Sequence, residues 1–238
     1  MAIATLIQPD EPGLRAVAPA WHTAIVLFIV LGFSLEGGRS GNMPGVAAYG
    51  RAGGYLLVMI MEWSVVGFIW YWLSRRGIRM ADLVGGRWPR AVDFLRDLGI
   101  AIAFFIVCGI VVVNGLGYLL KAGEPQGLRN LFPQSGTEII LYLMLSLTAG
   151  FCEEVIFRGY LRRQFSALTQ SAAGGIVLQG IAFGAGHGYQ GWKFMLLIAV
   201  YGSLFGLLAY WRRSLRPGMI THFVQDGLGG LVGRHLMK

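Results

Sequence analysis

The chain has 238 residues and a formal net charge of +8; 55% of its residues are hydrophobic and only 13% are charged. A soluble domain carries about a quarter charged residues, so these proportions exclude an ordinary soluble enzyme. They predict instead a polytopic helical membrane protein, because a chain this apolar needs a bilayer as its solvent.

Seven apolar stretches are candidate membrane spans. Each has about 16 to 24 residues, and about 20 are needed to cross the hydrocarbon core of a bilayer. Helices are the expected form, because a backbone in lipid must satisfy its own hydrogen bonds. The predicted spans lie near residues 21–36, 53–73, 97–120, 137–158, 171–188, 192–211 and 217–235.

The segment GGRWPRAVDFLRDLG lies between the second and third predicted spans. It places Trp88, Val92 and Leu95 on one helical face, away from its charged side chains. This pattern predicts a short amphipathic helix in the membrane interface. The expected fold is therefore all-α: a transmembrane bundle of about seven spans plus this helix, forming a single membrane domain over residues 1–238.

The positive charge has a simpler explanation than nucleic-acid binding. Most of the arginines lie at the ends of apolar segments, after the second (75–96), fourth (162–163) and sixth (212–216) predicted spans. These three loops fall on one side of the membrane, which the positive-inside rule makes cytoplasmic. We therefore expect a lipid bilayer rather than a nucleic acid as the partner, and the cell membrane as the location.

Three formal charges stand within one apolar stretch, AGFCEEVIFRGYL: Glu153, Glu154 and Arg158. One such charge at the bilayer centre costs about 3 kcal/mol, so internal partners are expected. Glu154 and Arg158 are four residues apart and share a helix face, where they can pair. Glu153 is turned about 100° away and is expected to face another helix.

Two later predicted spans offer partners for Glu153. His187 stands near the end of the fifth span in FGAGHGYQG, and His222 and Asp226 share a face of the last span in MITHFVQDG. If the fourth, fifth and seventh spans pack together, these groups converge on one polar cavity. Glu62, in the second span, has no motif around it; it could pair with an arginine or face the same cavity.

These residues resemble the motifs of the CPBP family. EEVIFR matches E-E-x-x-x-R, FGAGH matches F-x-x-x-H, and HFVQD resembles H-x-x-x-N, in the family's order. The family comprises CAAX prenyl endopeptidase-like and Abi-type intramembrane proteases, together with proteins assigned to bacteriocin self-immunity. The resemblance covers residues 137–231, which are the expected catalytic core.

The resemblance implies a glutamate-dependent endopeptidase with its site inside the membrane and no cofactor. Glu153 would activate a water molecule, and His187 would hold and polarise it. His222 and residue 226 would stabilise the oxyanion. The implied substrate is a membrane-associated polypeptide with a CAAX-like C-terminal segment, and the sequence does not determine whether that segment must carry a lipid. The oligomeric state of the protein also stays open.

The resemblance also gives supporting roles to Glu154 and Arg158, which would orient Glu153. Asp226 departs from the family pattern, because members often have asparagine there. An amide can donate to an oxyanion, whereas an ionised carboxylate only accepts. Asp226 is therefore either protonated or holds the ring of His222; we favour the second arrangement, since the two residues share a helix face.

Other functions fit the same residues. Glu153, His187 and His222 could ligate zinc and leave a fourth position for water, although the HExxH motif is absent. A serine mechanism lacks a suitable motif, and an aspartyl mechanism lacks a second intramembrane aspartate. A non-catalytic immunity or binding protein, or a transporter with a proton relay, also remains open; against a transporter, the sequence shows no internal repeat.

Overall fold

The computed structural model describes residues 14–236, and within that range the chain folds into helices without a β-strand. In chain order these helices are α1 (Ala20–Ser40), α2 (Val46–Ser74), α3 (Met80–Val84), α4 (Ala91–Leu119), α5 (Leu128–Leu131), α6 (Gly136–Thr169), α7 (Ala172–Ala185), α8 (Trp192–Arg212) and α9 (Arg216–Leu236).

Five helices of the described part of the chain are long and apolar enough to cross a membrane: α1, α2, α4, α6 and α8. This confirms an integral, multi-pass helical membrane protein. The other two predicted spans are also helical. However, α7 has only 14 residues, and α9, with 21 residues, is more polar than the five. The total of seven spans therefore stays a prediction.

Within the segment predicted to form a separate interfacial helix, residues 91–99 instead form the first turns of α4, and Trp88 lies before that helix. This helix begins at Ala91 and continues to Leu119. Val92 and Leu95 are exposed on its outer surface, whereas Asp93 and Asp97 are buried against the protein. An apolar outer face with buried carboxylates suits a helix that continues into the bilayer, where charges face the bundle interior.

Helix α6 is wound differently along its length. Ser135 caps its start by accepting a hydrogen bond from the backbone N–H of Glu138, at 3.2 Å. The helix is α-helical to Glu153 and then takes a π-helical winding over Glu154–Leu161, where every residue is buried. Such wide turns are rare and occur frequently at functional sites. The charged part of α6 thus lies in the centre of the bundle.

Glycines bring the helices of the bundle into close contact. A Cβ added to Gly150 of α6 would lie 3.0 Å from the backbone nitrogen of Phe223 and 3.1 Å from the carbonyl oxygen of Met219. A Cβ added to Gly184 of α7 would collide with the backbone of α8. Small residues at these crossings allow the backbones to approach, as is usual between membrane helices. They hold α9 against α6 and α7 against α8.

A buried carboxylate holds the start of α9 in place. Asp97 of α4 is fully buried and accepts a hydrogen bond from Arg212 at the end of α8, at 2.9 Å. It also forms an ion pair with Arg216 at the start of α9, with 3.3 Å between Oδ2 and Nε. The indole Nε1–H of Trp88 donates to the same carboxylate at 2.9 Å. Asp97 therefore joins α4, α8 and α9 at one end of the bundle.

We expect Asp97→Asn to lower the free energy of unfolding by about 3 kcal/mol, because it leaves two largely buried guanidinium groups without their counter-charge. The measurement is thermal unfolding of the purified protein in detergent.

The matched control is Glu124→Gln. It removes a carboxylate that pairs with Arg129, and both side chains of this ion pair are exposed to solvent. Exposed pairs contribute at most about 1 kcal/mol. Equal destabilisation by the two substitutions would contradict the anchoring role of Asp97.

Candidate active site

The charged residues of α6 form a buried ion pair. Arg158 and Glu154 are both fully buried, and Nη1 of the arginine lies 3.2 Å from Oε1 of the glutamate. The guanidinium also lies over two aromatic rings, 4.1 Å from the centroid of Phe183 and 4.9 Å from that of Phe205. The arginine thus has a counter-charge and a cation–π environment, which lower the cost of burying it.

His222 of α9 lies between the two adjacent glutamates. Its Nδ1 is 3.3 Å from Oε1 of Glu154, and its Nε2 is 3.4 Å from Oε2 of Glu153. Glu154 is the counter-charge of Arg158 and accepts at its carboxylate oxygen, so Nδ1 of the ring donates this hydrogen bond. The two glutamate side chains thus reach opposite edges of one imidazole on α9.

Asp226 is placed differently from the arrangement favoured by the sequence. Its Oδ2 is 3.6 Å from Nε2 of His222, which is longer than a hydrogen bond. The carboxylate that holds Nδ1 is Glu154, from the neighbouring helix. The spacing of His222 and Asp226 does put them on one face, but tertiary packing brings a nearer partner to the ring.

His187 follows the end of α7, in the turn before α8. Its Nδ1 lies 2.9 Å from the carbonyl oxygen of Phe183. A carbonyl only accepts, so Nδ1–H donates, and in the neutral ring Nε2 is the acceptor nitrogen. The ring also packs edge-on against that of Phe183, with centroids 4.8 Å apart. His187 therefore has a fixed orientation at the wall of the cavity described next.

A cavity of about 530 Å³ opens between α2, α6, α9 and the turn after α7. Most of its wall is apolar. The polar side chains that line it are Glu62, Tyr142, Ser146, Glu153, His187, Tyr189, Gln190, Gln225 and Asp226. The cavity thus brings together Glu62, Glu153, His187 and Asp226 from separate elements, and Nε2 of His222 lies 3.4 Å from Glu153 and 3.6 Å from Asp226.

Glu62 of α2 faces this cavity and is only 3% exposed. Its carboxyl group lies within hydrogen-bonding reach of that of Glu153. The sequence left two positions for Glu62, beside an arginine or at the polar cavity, and the structure places it at the cavity. The available signal was a single acidic residue inside an apolar span, which marks a functional position but names no partner.

Two tyrosines at the cavity were not identified from the sequence. Tyr142 of α6 donates its hydroxyl hydrogen to the backbone carbonyl of Asp226, at 3.2 Å. Tyr189 lies in the turn before α8, where desolvation raises the pKa of its phenol well above the ordinary value. The hydroxyl of Tyr189 therefore stays protonated and can donate a hydrogen bond. Neither residue belongs to a motif, so no sequence pattern indicated a role for them.

A metal centre is not favoured by the geometry. Among residues 14–236, no group of three or more His, Cys, Asp and Glu side chains is arranged to hold a metal ion. The donor set considered for zinc is thus present but not convergent.

Comparison with known families finds a match for the part of the chain that contains most of these site residues. Residues 135–228 match the family model described as Type II CAAX prenyl endopeptidase Rce1-like. No curated protein and no solved structure matches the chain. The matched range includes all of the clustered site residues on α6, on α9 and in the turn between α7 and α8, but not Glu62. Residues 135–228 thus resemble the Rce1-like CAAX prenyl endopeptidase family, the family of membrane proteases that the three sequence motifs also resemble.

Proposed function

We propose that this protein is an intramembrane endopeptidase in which Glu153 activates a water molecule for attack on a peptide bond. The family model that residues 135–228 match describes CAAX-type proteases; the glutamate-dependent mechanism is our proposal. The observation that carries it is the contact of Glu153 and Glu154 with opposite edges of His222, at the wall of a cavity inside a membrane protein.

Glu153 is the proposed base. It lines the cavity, and its Oε2 is buried without a hydrogen-bond partner among the described residues, although Nε2 of His222 is 3.4 Å away. A carboxylate oxygen in this position can take a proton from water as the water oxygen bonds to the substrate carbonyl carbon. The same proton then passes from Glu153 to the amide nitrogen as the C–N bond breaks. His187, with Nε2 as acceptor, is placed to hold the water.

His222 is the proposed oxyanion donor. Glu154 fixes its Nδ1, and in the cationic ring Nε2–H donates toward the cavity side of the imidazole. Asp226 has no hydrogen to offer when ionised, so its negative charge stabilises the imidazolium form of His222 instead. In this arrangement Arg158 pairs with Glu154, and Glu154 keeps the ring in place.

The proposed substrate is a membrane-associated polypeptide whose scissile segment enters the cavity. The family description points to a C-terminal CAAX segment that carries a prenyl group. A second cavity of about 990 Å³ adjoins the first and shares Ile198, Gln225, Gly229 and Val232 with it. Its largely apolar wall offers room for a lipid attached near the scissile bond. We place the catalytic core at residues 137–231 of a single membrane domain.

We expect Glu153→Gln to reduce cleavage at least 100-fold, because the amide keeps the shape of the glutamate but cannot accept a proton. The measurement is a comparison of protein termini in membrane fractions from cells that carry the wild-type protein or the variant. A terminus that depends on Glu153 identifies the substrate and the bond.

The control for this experiment is Glu36→Gln, a matched change at an exposed position of α1. This variant should still produce the Glu153-dependent terminus at the wild-type level. If Glu153→Gln removes no terminus but preserves a binding phenotype, the protein is a non-catalytic binding protein and the proposal is wrong.

We expect His222→Ala to abolish cleavage, with a loss of about 100-fold or more, because it removes the oxyanion donor and leaves two buried carboxylates facing each other. Asp226→Asn should keep activity within about tenfold of wild type, since the Nδ1 contact of His222 with Glu154 is retained. Both rates are followed as formation of the Glu153-dependent terminus. A fully active His222→Ala variant would contradict the role of His222 as the oxyanion donor.

Cleavage should persist after dialysis against a strong chelator, because the proposed chemistry uses only side chains and water. The assay is the rate of cleavage in purified membranes before and after dialysis. Loss of activity that added zinc restores would support the zinc mechanism instead.

A further inference from the structure

We infer that Glu62 and Glu153 form a carboxyl pair that shares one proton, and that Glu62 is a positioning residue for the base. This inference rests on the proposed function of Glu153. It adds to the site a residue of α2, which lies outside the range matched by the family model. It also assigns a role to the one acidic residue of the cavity for which the sequence offered no motif.

The first support is the position of the two side chains. Glu62 is buried in the middle of α2, and α2 packs along α6. Both Glu62 and Glu153 line the same cavity, with their carboxyl groups in hydrogen-bonding reach of each other. Each of them has a buried Oε2 atom without a hydrogen-bond partner among the described residues. Each carboxyl group thus has a buried oxygen that lacks a donor, and a proton held between the two groups would supply one.

The second support is the balance of charge. The titratable groups that face this pair are Cys152, Glu154 and Arg158 of α6, His187 and Tyr189 of the turn after α7, and His222 and Asp226 of α9. Arg158 balances Glu154, and a cationic His222 balances one further carboxylate. Two more carboxylates remain at an apolar cavity. Two ionised carboxyl groups in contact repel each other strongly there, whereas a shared proton converts the repulsion into a hydrogen bond.

The shared proton gives Glu62 a definite task. A protonated Glu62 donates a hydrogen bond to one oxygen of Glu153, which fixes that carboxylate and leaves its second oxygen directed at the water. Two carboxyl groups that share a proton are an established solution for acid–base chemistry, as in the aspartic proteases. Here the second carboxyl group holds the base, and the oxyanion donor is His222.

Infrared spectroscopy of the full-length protein in lipid nanodiscs tests the shared proton directly. With glutamate labelled by ¹³C at the carboxyl carbon, the wild type should show at neutral pH the carbonyl-stretch band of a protonated glutamic acid. The band should disappear in Glu62→Gln and remain in Glu36→Gln. Absence of the band in the wild type, or its persistence in Glu62→Gln, would overturn the inference.

Activity tests the positioning role. Glu62→Gln keeps a hydrogen-bond donor of the same shape, so kcat should stay within about threefold of wild type. Glu62→Leu loses the donor, so kcat should fall about tenfold or more with KM little changed, because the base is no longer held. Equal kcat for wild type and Glu62→Leu would overturn the role. Melting temperatures of both variants separate a loss of folding from a loss of catalysis.

The pH dependence gives a readout that a structural role would not change. In the wild type, activity should fall at alkaline pH as the pair loses its shared proton and the two carboxylates repel each other. Glu62→Gln has no such proton to lose, so its activity should extend to higher pH. An unchanged alkaline limb in Glu62→Gln would contradict the inference.

The two proposals fail in distinguishable ways. If Glu153→Gln leaves cleavage intact, the protease mechanism is wrong, whatever the infrared spectrum shows. If cleavage depends on Glu153 but the labelled band is absent, the mechanism stands and only the shared proton is refuted.

Discussion

The buried contact between Arg158 and Glu154 is the interaction on which the site depends. A guanidinium in the interior of a membrane protein is stable only with a counter-charge and further partners. Here they are a carboxylate on the same helix and the rings of Phe183 and Phe205. Glu154, paired with Arg158, accepts from Nδ1 of His222 and so determines how the imidazole is turned. The other ring nitrogen then faces Glu153.

The rest of the bundle holds His222 at the correct distance from α6. Close backbone contact at Gly150 sets the separation of α6 and α9 beside the site. At the end of the bundle, Asp97 joins the start of α9 to α4 and α8 through two arginines. A Cβ on Gly218 would lie 2.7 Å from Oε2 of Glu154, so the absence of a side chain there makes room for that carboxylate. Small residues and one buried anion thus determine the geometry of a site to which they contribute no functional group.

The site is more acidic than its motifs indicate. Asp226 stands at the last position of the third motif, where the family pattern often has asparagine. Helix α2 adds Glu62 to the same cavity. Each additional carboxylate raises the electrostatic cost of an ionised base in an apolar environment. The shared proton proposed for Glu62 and Glu153 and the imidazolium of His222 both reduce this cost. The departure at residue 226 is therefore consistent with a site whose donors are imidazole and carboxylic acid rather than amide.

Local pattern alone determined the membrane class, the helical fold and the pairing of Glu154 with Arg158. Hydropathy is a property of each segment, and a spacing of four residues fixes a shared face within one helix. Tertiary structure decided which carboxylate holds His222, where Glu62 points, and that Val92 and Leu95 belong to a continuous α4. Those features depend on the distance, rotation and register between helices far apart in the chain. Such relations arise from packing at glycines and buried charges, and the periodicity of a single segment does not contain them.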